Sequence, residues 1–194
     1  MIKARDNPFA TGRVERLLAF DPGLVGTTWE AIEARWRELG HRACVVGHHG
    51  SGKTTFLDAI GRRMARERRV VRLFFNRSHS RLDEADRRRL DPLGNAVLLV
   101  DGDGHLPARE RRELHRAAED AAGLICARHR RLGLPVLLRL RADLELARRL
   151  AARLVDHEPP ALARRLRRCR HNLRELWMEC YDNASLENPD QKTF

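Results

Sequence analysis

At 194 residues, 42% of them hydrophobic, the chain is sized for one domain with a small appendage and can bury a true core. No stretch approaches the roughly 18 apolar residues that a spanning helix needs, and Met1–Pro8 lacks the apolar segment of a secretory leader, so a cytoplasmic protein without a membrane span is expected. The formal charge of +11 points toward polyanions, but the arginines are dispersed over several segments and the few aromatics (5%) do not interleave with them, so nucleic acid is a less favoured partner than a nucleotide.

The first 25 residues, with Pro8, Gly12, Pro22 and Gly23, read as irregular. A helix is predicted from Thr27, where Thr27-Thr28-Trp29-Glu30 has the form of a capping box; Trp29, Ile32, Trp36 and Leu39 repeat at helical spacing until Gly40 ends it. A strand over 42–46 then leads into Gly47-His48-His49-Gly50-Ser51-Gly52-Lys53-Thr54, a complete G-x-x-x-x-G-K-[ST] sequence, followed by Thr55-Phe56-Leu57-Asp58-Ala59-Ile60 with helical spacing. Strand, loop and helix in that order are the context such a loop requires. Its glycines let successive N–H groups turn inward toward phosphate oxygens, and the helix that begins near Lys53 adds the positive end of its dipole. The candidate nucleotide-binding set is therefore Gly47, His48, His49, Gly50, Ser51, Gly52, Lys53, Thr54 and Thr55, with Lys53 on the outer phosphates and the Thr54 hydroxyl on Mg2+. The two histidines occupy variable positions and receive no side-chain role.

Further strands are predicted over 70–75, 96–101, 124–127 and 134–140, with a short helix over 83–90 and a longer one over 107–122. Asp101 closes the apolar run Ala96-Val97-Leu98-Leu99-Val100, where a carboxylate can hold Mg2+ opposite Thr54. Hydrolysis also needs a group that orients or deprotonates water. Gly102 stands where a glutamate commonly follows the strand aspartate, leaving Asp103 and His105 as the nearest substitutes. Past the fourth strand, His129 is the candidate phosphate sensor, with Arg128 beside it. Beyond residue 141 the strands stop. Asp143 caps a helix, Pro159-Pro160 breaks the chain, and a mainly helical tail runs from Ala161 to about Leu186, with Arg174 near a helix start as a candidate for stabilising phosphate charge. This divides the chain into an α/β core over 1–141, a helical lid over 142–187 and a tail over 188–194.

Cys44, Cys126, Cys169 and Cys180 form no C-x-x-C pair and read as thiols in a reducing compartment. Cys169 and His171 belong to no complete ligand set, so no structural metal is expected.

These motifs resemble the P-loop ATPases of the AAA+ and related ASCE class, most nearly the small general-secretion and transposition-helper type. The resemblance rests on Asn7-Pro8-Phe9, the loop 47–54, the strand 96–101 and Asn172-x-Arg174. It implies a three-layer α/β fold with a five-stranded parallel sheet in the order 5-1-4-3-2 and a small C-terminal helical lid. It further implies ATP as ligand, Asn7-Pro8-Phe9 near the adenine, and Arg174 on the "sensor 2" helix. The chain departs from that pattern at Gly102, Ala127 and His171. The expected function is an Mg-ATP-dependent ATPase, slow or partner-activated, acting through a protein partner or a second copy of itself. A non-hydrolysing nucleotide switch and a small-molecule or nucleotide kinase stay open as alternatives; a DNA-associated ATPase is less favoured.

Overall fold

Runs rich in valine, leucine and isoleucine become five strands: β1 (Arg42–Gly47), β2 (Val70–Phe74), β3 (Val97–Asp101), β4 (Gly123–Arg128) and β5 (Val136–Leu140). A computed structural model describes residues 7–131 and 133–186 of the chain. All strand pairs are parallel and the order is β2-β3-β4-β1-β5, the order that the resemblance implied, listed from the other edge. The described residues form two packed units, 26–47 with 52–140, and 7–25 with 48–51 and 141–186.

In the sheet unit the α-helices are α2 (Trp29–Glu38), α3 (Lys53–Met64), α4 (Glu84–Leu90) and α5 (Ala108–Ala117), α1 (Thr11–Leu17) belonging to the other unit. Successive strand residues alternate between faces, so one face collects Cys44, Val46, Leu98, Val100, Leu124 and Cys126 beneath Leu114 of α5 and Leu90 of α4. The opposite face carries Val45, Leu99 and Ile125, all fully buried, as are Phe56 and Leu57 of α3. α3 approaches that face so closely that a Cβ on Gly61 would lie 2.9 Å from Leu99 Cδ1. Helices on both faces explain why strands β3 and β4 are buried at every residue. Local caps agree with the sequence, with one shift. Thr28, and not Thr27, takes the N-cap of α2 by accepting from Ala31 N at 3.2 Å. Asp83 and Asp86 form a reciprocal capping box on α4.

The second unit contains α1 (Thr11–Leu17), α6 (Leu144–Ala151), α7 (Leu162–Arg168) and α8 (Leu173–Leu186). α1 corrects the expectation of an irregular first 25 residues: Val14 and Leu18, four apart, pack on the apolar cluster of Leu146, Leu150, Leu166, Leu176 and Trp177. Residues 7–25, read with the sheet domain in the sequence, thus group with the C-terminal helices. Asp143 caps α6 as expected, accepting from Leu146 N at 2.8 Å. The predicted tail helix is interrupted at Arg170 and His171, both at positive φ (51° and 60°), which divides it into α7 and α8. All four cysteines are free and buried. No helix among the described residues is long and apolar enough to cross a membrane, and the expected tail 188–194 lies outside the described residues.

Candidate functional site

The glycine loop begins where β1 ends. In the sheet unit Gly52 adopts φ 90°, a conformation that L side chains rarely take, and from there α3 starts at Lys53. Lys53 is buried (8% exposed) and its Nζ donates to Gly47 O at 2.8 Å. Burial lowers the Lys53 pKa, and the negative charge of Asp101 opposes that shift. One turn position later the Thr54 hydroxyl donates to Asp101 Oδ2 at 2.6 Å. Residues 47 positions apart in sequence are thereby joined as the sequence reading required, because β3 and α3 deliver them to the same, carboxyl, end of the sheet.

His129 reaches the same backbone carbonyl, its Nδ1 donating to Gly47 O at 3.2 Å, while the ring itself is exposed. Donation from Nδ1 makes Nε2 the basic nitrogen of the neutral imidazole. Lys53, Thr54, Asp101 and His129 thus gather at one place. Thr55 is half-buried on the first turn of α3, with no side-chain hydrogen bond among the described residues.

Asp103 does not join them. Its carboxylate is fully buried and held by Arg128, whose Nε lies 3.0 and 3.1 Å from the two oxygens and whose terminal nitrogen makes a further ion pair. His115 Nε2 of α5 lies 3.1 Å from Asp103 Oδ2 and 2.8 Å from Arg128. Burial would raise the Asp103 pKa, but the hydrogen bonds from His115 and Arg128 outweigh it and the net direction is down. This is a buried ion-pair network in which both oxygens of Asp103 are engaged by Arg128 and one also by His115. Sequence reasoning missed the pairing, because the position of α5 that aligns His115 with the end of β4 follows from packing alone.

Gly102 has an equally definite cause. Its φ is 83°, and a Cβ there would lie 2.2 Å from Phe75 O. The edge strand's backbone, with Phe75 N donating to Asp101 O at 2.8 Å, occupies the space that any side chain would need. A glutamate following Asp101 is sterically incompatible with this turn.

The middle of the loop, residues 48–51, belongs to the helical unit. His48 and His49 are exposed, and Gly50 sits at φ 67°. Leu173 N, the first N–H of α8, donates to Gly50 O at 3.2 Å, and a Cβ on Gly50 would lie 1.8 Å from Asn172 Oδ1. Asn172 caps α8 through Arg174 N at 3.1 Å, which fixes Arg174 as the second helical residue, exposed. Ser51 Oγ is buried with no partner among the described residues. Asn7 is fully buried and donates to Tyr181 O and Ser185 Oγ, both at 2.9 Å, while Phe9 stacks on Trp177 at 6.2 Å between ring centroids. Asn7-Pro8-Phe9 therefore clamps the N-terminal arm onto α8 with the Asn7 side chain fully occupied. No protein-family model matches this chain, and no match is found among the curated proteins.

Proposed function

We infer that the chain is an Mg-ATP-binding ATPase of the P-loop type, with slow or partner-activated turnover. The observation that carries this reading is the 2.6 Å contact of the Thr54 hydroxyl with Asp101, beside a buried Lys53 at the head of α3. Hydroxyl and carboxylate are the hard oxygen donors that suit Mg2+, which keeps most of its water shell. A buried ammonium whose pKa is pulled down by desolvation is stabilised by an anion brought beside it. The orphaned Ser51 hydroxyl and the left-handed Gly50 and Gly52 fit a loop whose polar groups turn toward a ligand. Thr54 and Asp101 would hold the metal, which neutralises phosphate charge when bound. Lys53 would leave Gly47 O for phosphate oxygens, and the loop N–H groups of 48–54 would orient them. Arg174 remains the proposed charge-stabilising residue of the helical unit.

With Gly102 barred from carrying a side chain and Asp103 bonded to Arg128, His129, held against Gly47 O, is the residue proposed to orient or deprotonate water. The same two positions support a second reading, a nucleotide switch that does not hydrolyse. A kinase is less well supported: the cleft beside the predicted polar excursion, about 330 Å³ and lined by Leu90, Pro92, Leu93 and Glu113, adjoins the turn that enters β3, whereas Asp101 ends that strand. Five strand residues separate the two by about 13 Å.

Phosphate release from ATP, measured for the wild type and Lys53→Ala with and without DNA, tests the reading. The ATPase predicts release that falls at least 100-fold in Lys53→Ala. Bound ATP with no release under any condition transfers the case to the switch, and absence of ATP binding overturns both.

A further inference from the structure

At the amino end of the same sheet, the end opposite Gly47 on β1, tertiary folding gathers cations that lie apart in sequence. α2 ends at Glu38, and Gly40 and His41 then adopt φ 65° and 60°, turning the chain sharply into β1. A non-glycine residue at positive φ is uncommon, and here it is held from three sides. His41 N donates to Trp36 O at 2.9 Å, His41 O accepts from Leu124 N at 2.8 Å, and its ring meets Trp36 edge-on at 4.7 Å. Facing this turn is the exit of α3, where residues 62–69 hold five arginines against one acid, Glu67.

Between the two lies a cleft of about 300 Å³ lined by Arg37, His41, Arg63, Arg66 and Arg68, with Glu33 and Glu67 as its acids. Glu33 is neutralised by its ion pair with Arg63. Arg37, Arg66 and Arg68 have no ion pair or side-chain hydrogen bond among the described residues. Helix C-termini favour nearby cations, and α2 and α3 both end here, so the dipoles account for arginines on each element; what they do not require is that Arg37, Arg66 and Arg68 line one concave surface without a carboxylate partner.

We propose that this cleft is a docking surface for the phosphate backbone of a nucleic acid duplex, separate from the nucleotide site and independent of that reading. The chemistry selects among polyanions. The Trp36 ring is buried (6% exposed), so it offers no face for an unstacked base, which disfavours single strands. The large apolar side chains that are exposed, Leu17, Phe74 and Met178, lie outside the cleft, so nothing there enters a lipid layer. Guanidinium groups pair with phosphate oxygens through planar, two-pronged hydrogen bonds, and such contacts position a duplex without reading its sequence.

The test is anisotropy of a labelled mixed-sequence duplex with the full chain, without nucleotide, across a salt series. The combined variant Arg37→Ala, Arg66→Ala, Arg68→Ala is expected to bind at least tenfold more weakly, with the slope of log K against log salt shallower by about 2.7, as three lost phosphate contacts require. The three Arg→Lys replacements should keep most of that slope, and circular dichroism should show the native fold for both. Arg164→Ala, Arg167→Ala, Arg170→Ala, which removes exposed arginines of the helical unit, should change little. Equal losses in the two alanine sets would show general charge attraction and overturn the proposal. So would tighter binding of the single strand, displacement by millimolar inorganic phosphate at constant ionic strength, equal binding to vesicles rich in anionic lipid, or no binding at low salt. Because Lys53→Ala should leave duplex binding unchanged, failure here and failure of the ATP reading are separable.

Discussion

The two ends of one sheet handle charge in opposite ways. At the carboxyl end the charged groups are few and enclosed: Lys53, Asp101, Asp103 and Arg128 are each less than a tenth exposed, and each has a defined partner. At the amino end Arg37 and Arg66 are exposed and Arg68 is half-buried, all three without ion pairs among the described residues. A buried charge needs its partner or the fold suffers, whereas a solvated guanidinium is held by water and left free to meet something else. The first arrangement is built into the stability of the protein. The second is available for binding.

That contrast predicts a graded series of stabilities, measured by urea unfolding. Arg128→Ala should cost most, about 3–5 kcal/mol, because it leaves the Asp103 carboxylate buried and uncompensated. A loss under about 1 kcal/mol would mean that Asp103 is protonated or rehydrated in the variant and that the carboxyl end is only loosely sealed. The same pairing sets an acid limb. The folded-state pKa of Asp103 is depressed, so its contribution is present above the unfolded value, near 3.8, and is lost as pH falls through the lower folded value. Asp103→Asn should therefore flatten the stability profile below about pH 4, and an unchanged acid limb in that variant would assign the limb to other carboxylates. Gly102→Ala should cost about 2–3 kcal/mol, since the added Cβ meets Phe75 O from a left-handed backbone. The smallest effect belongs to the amino end: each of Arg37→Ala, Arg66→Ala and Arg68→Ala should stay within about 0.5 kcal/mol. A larger loss at any of the three would show a structural partner and weaken the docking proposal.

Much of the carboxyl end was legible in the chain. The glycine loop with its flanking strand and helix, and the aspartate closing an apolar strand, are local patterns, and parallel β topology delivers Thr54 and Asp101 to the same edge whatever the surrounding detail. His129 lay close enough to a strand end to be named. The partners of Asp103 were not legible: a carboxylate two residues past Asp101 looks unpaired in the chain, and only packing brings Arg128 and His115 to it. The first turn of the protein misled the sequence reading: Pro8, Gly12, Pro22 and Gly23 suggest irregular chain, yet Val14 and Leu18 need only the apolar surface of the C-terminal helices to set a helix between them.

What the sequence determined by itself is the set of features whose cause spans a few residues: strand runs, the loop's glycines, the helix cap at Asp143, and most of the breaks between elements. Tertiary structure alone decided which charges are sealed and which are left open. Nothing in the chain distinguishes the arginines at 37, 66 and 68 from those at 63 or 128 until folding gives some a carboxylate and brings Arg37 beside the 62–69 run without one. The reason is physical: a local pattern fixes backbone conformation, but the fate of a charge depends on desolvation and on neighbours from distant segments, and only packing supplies those.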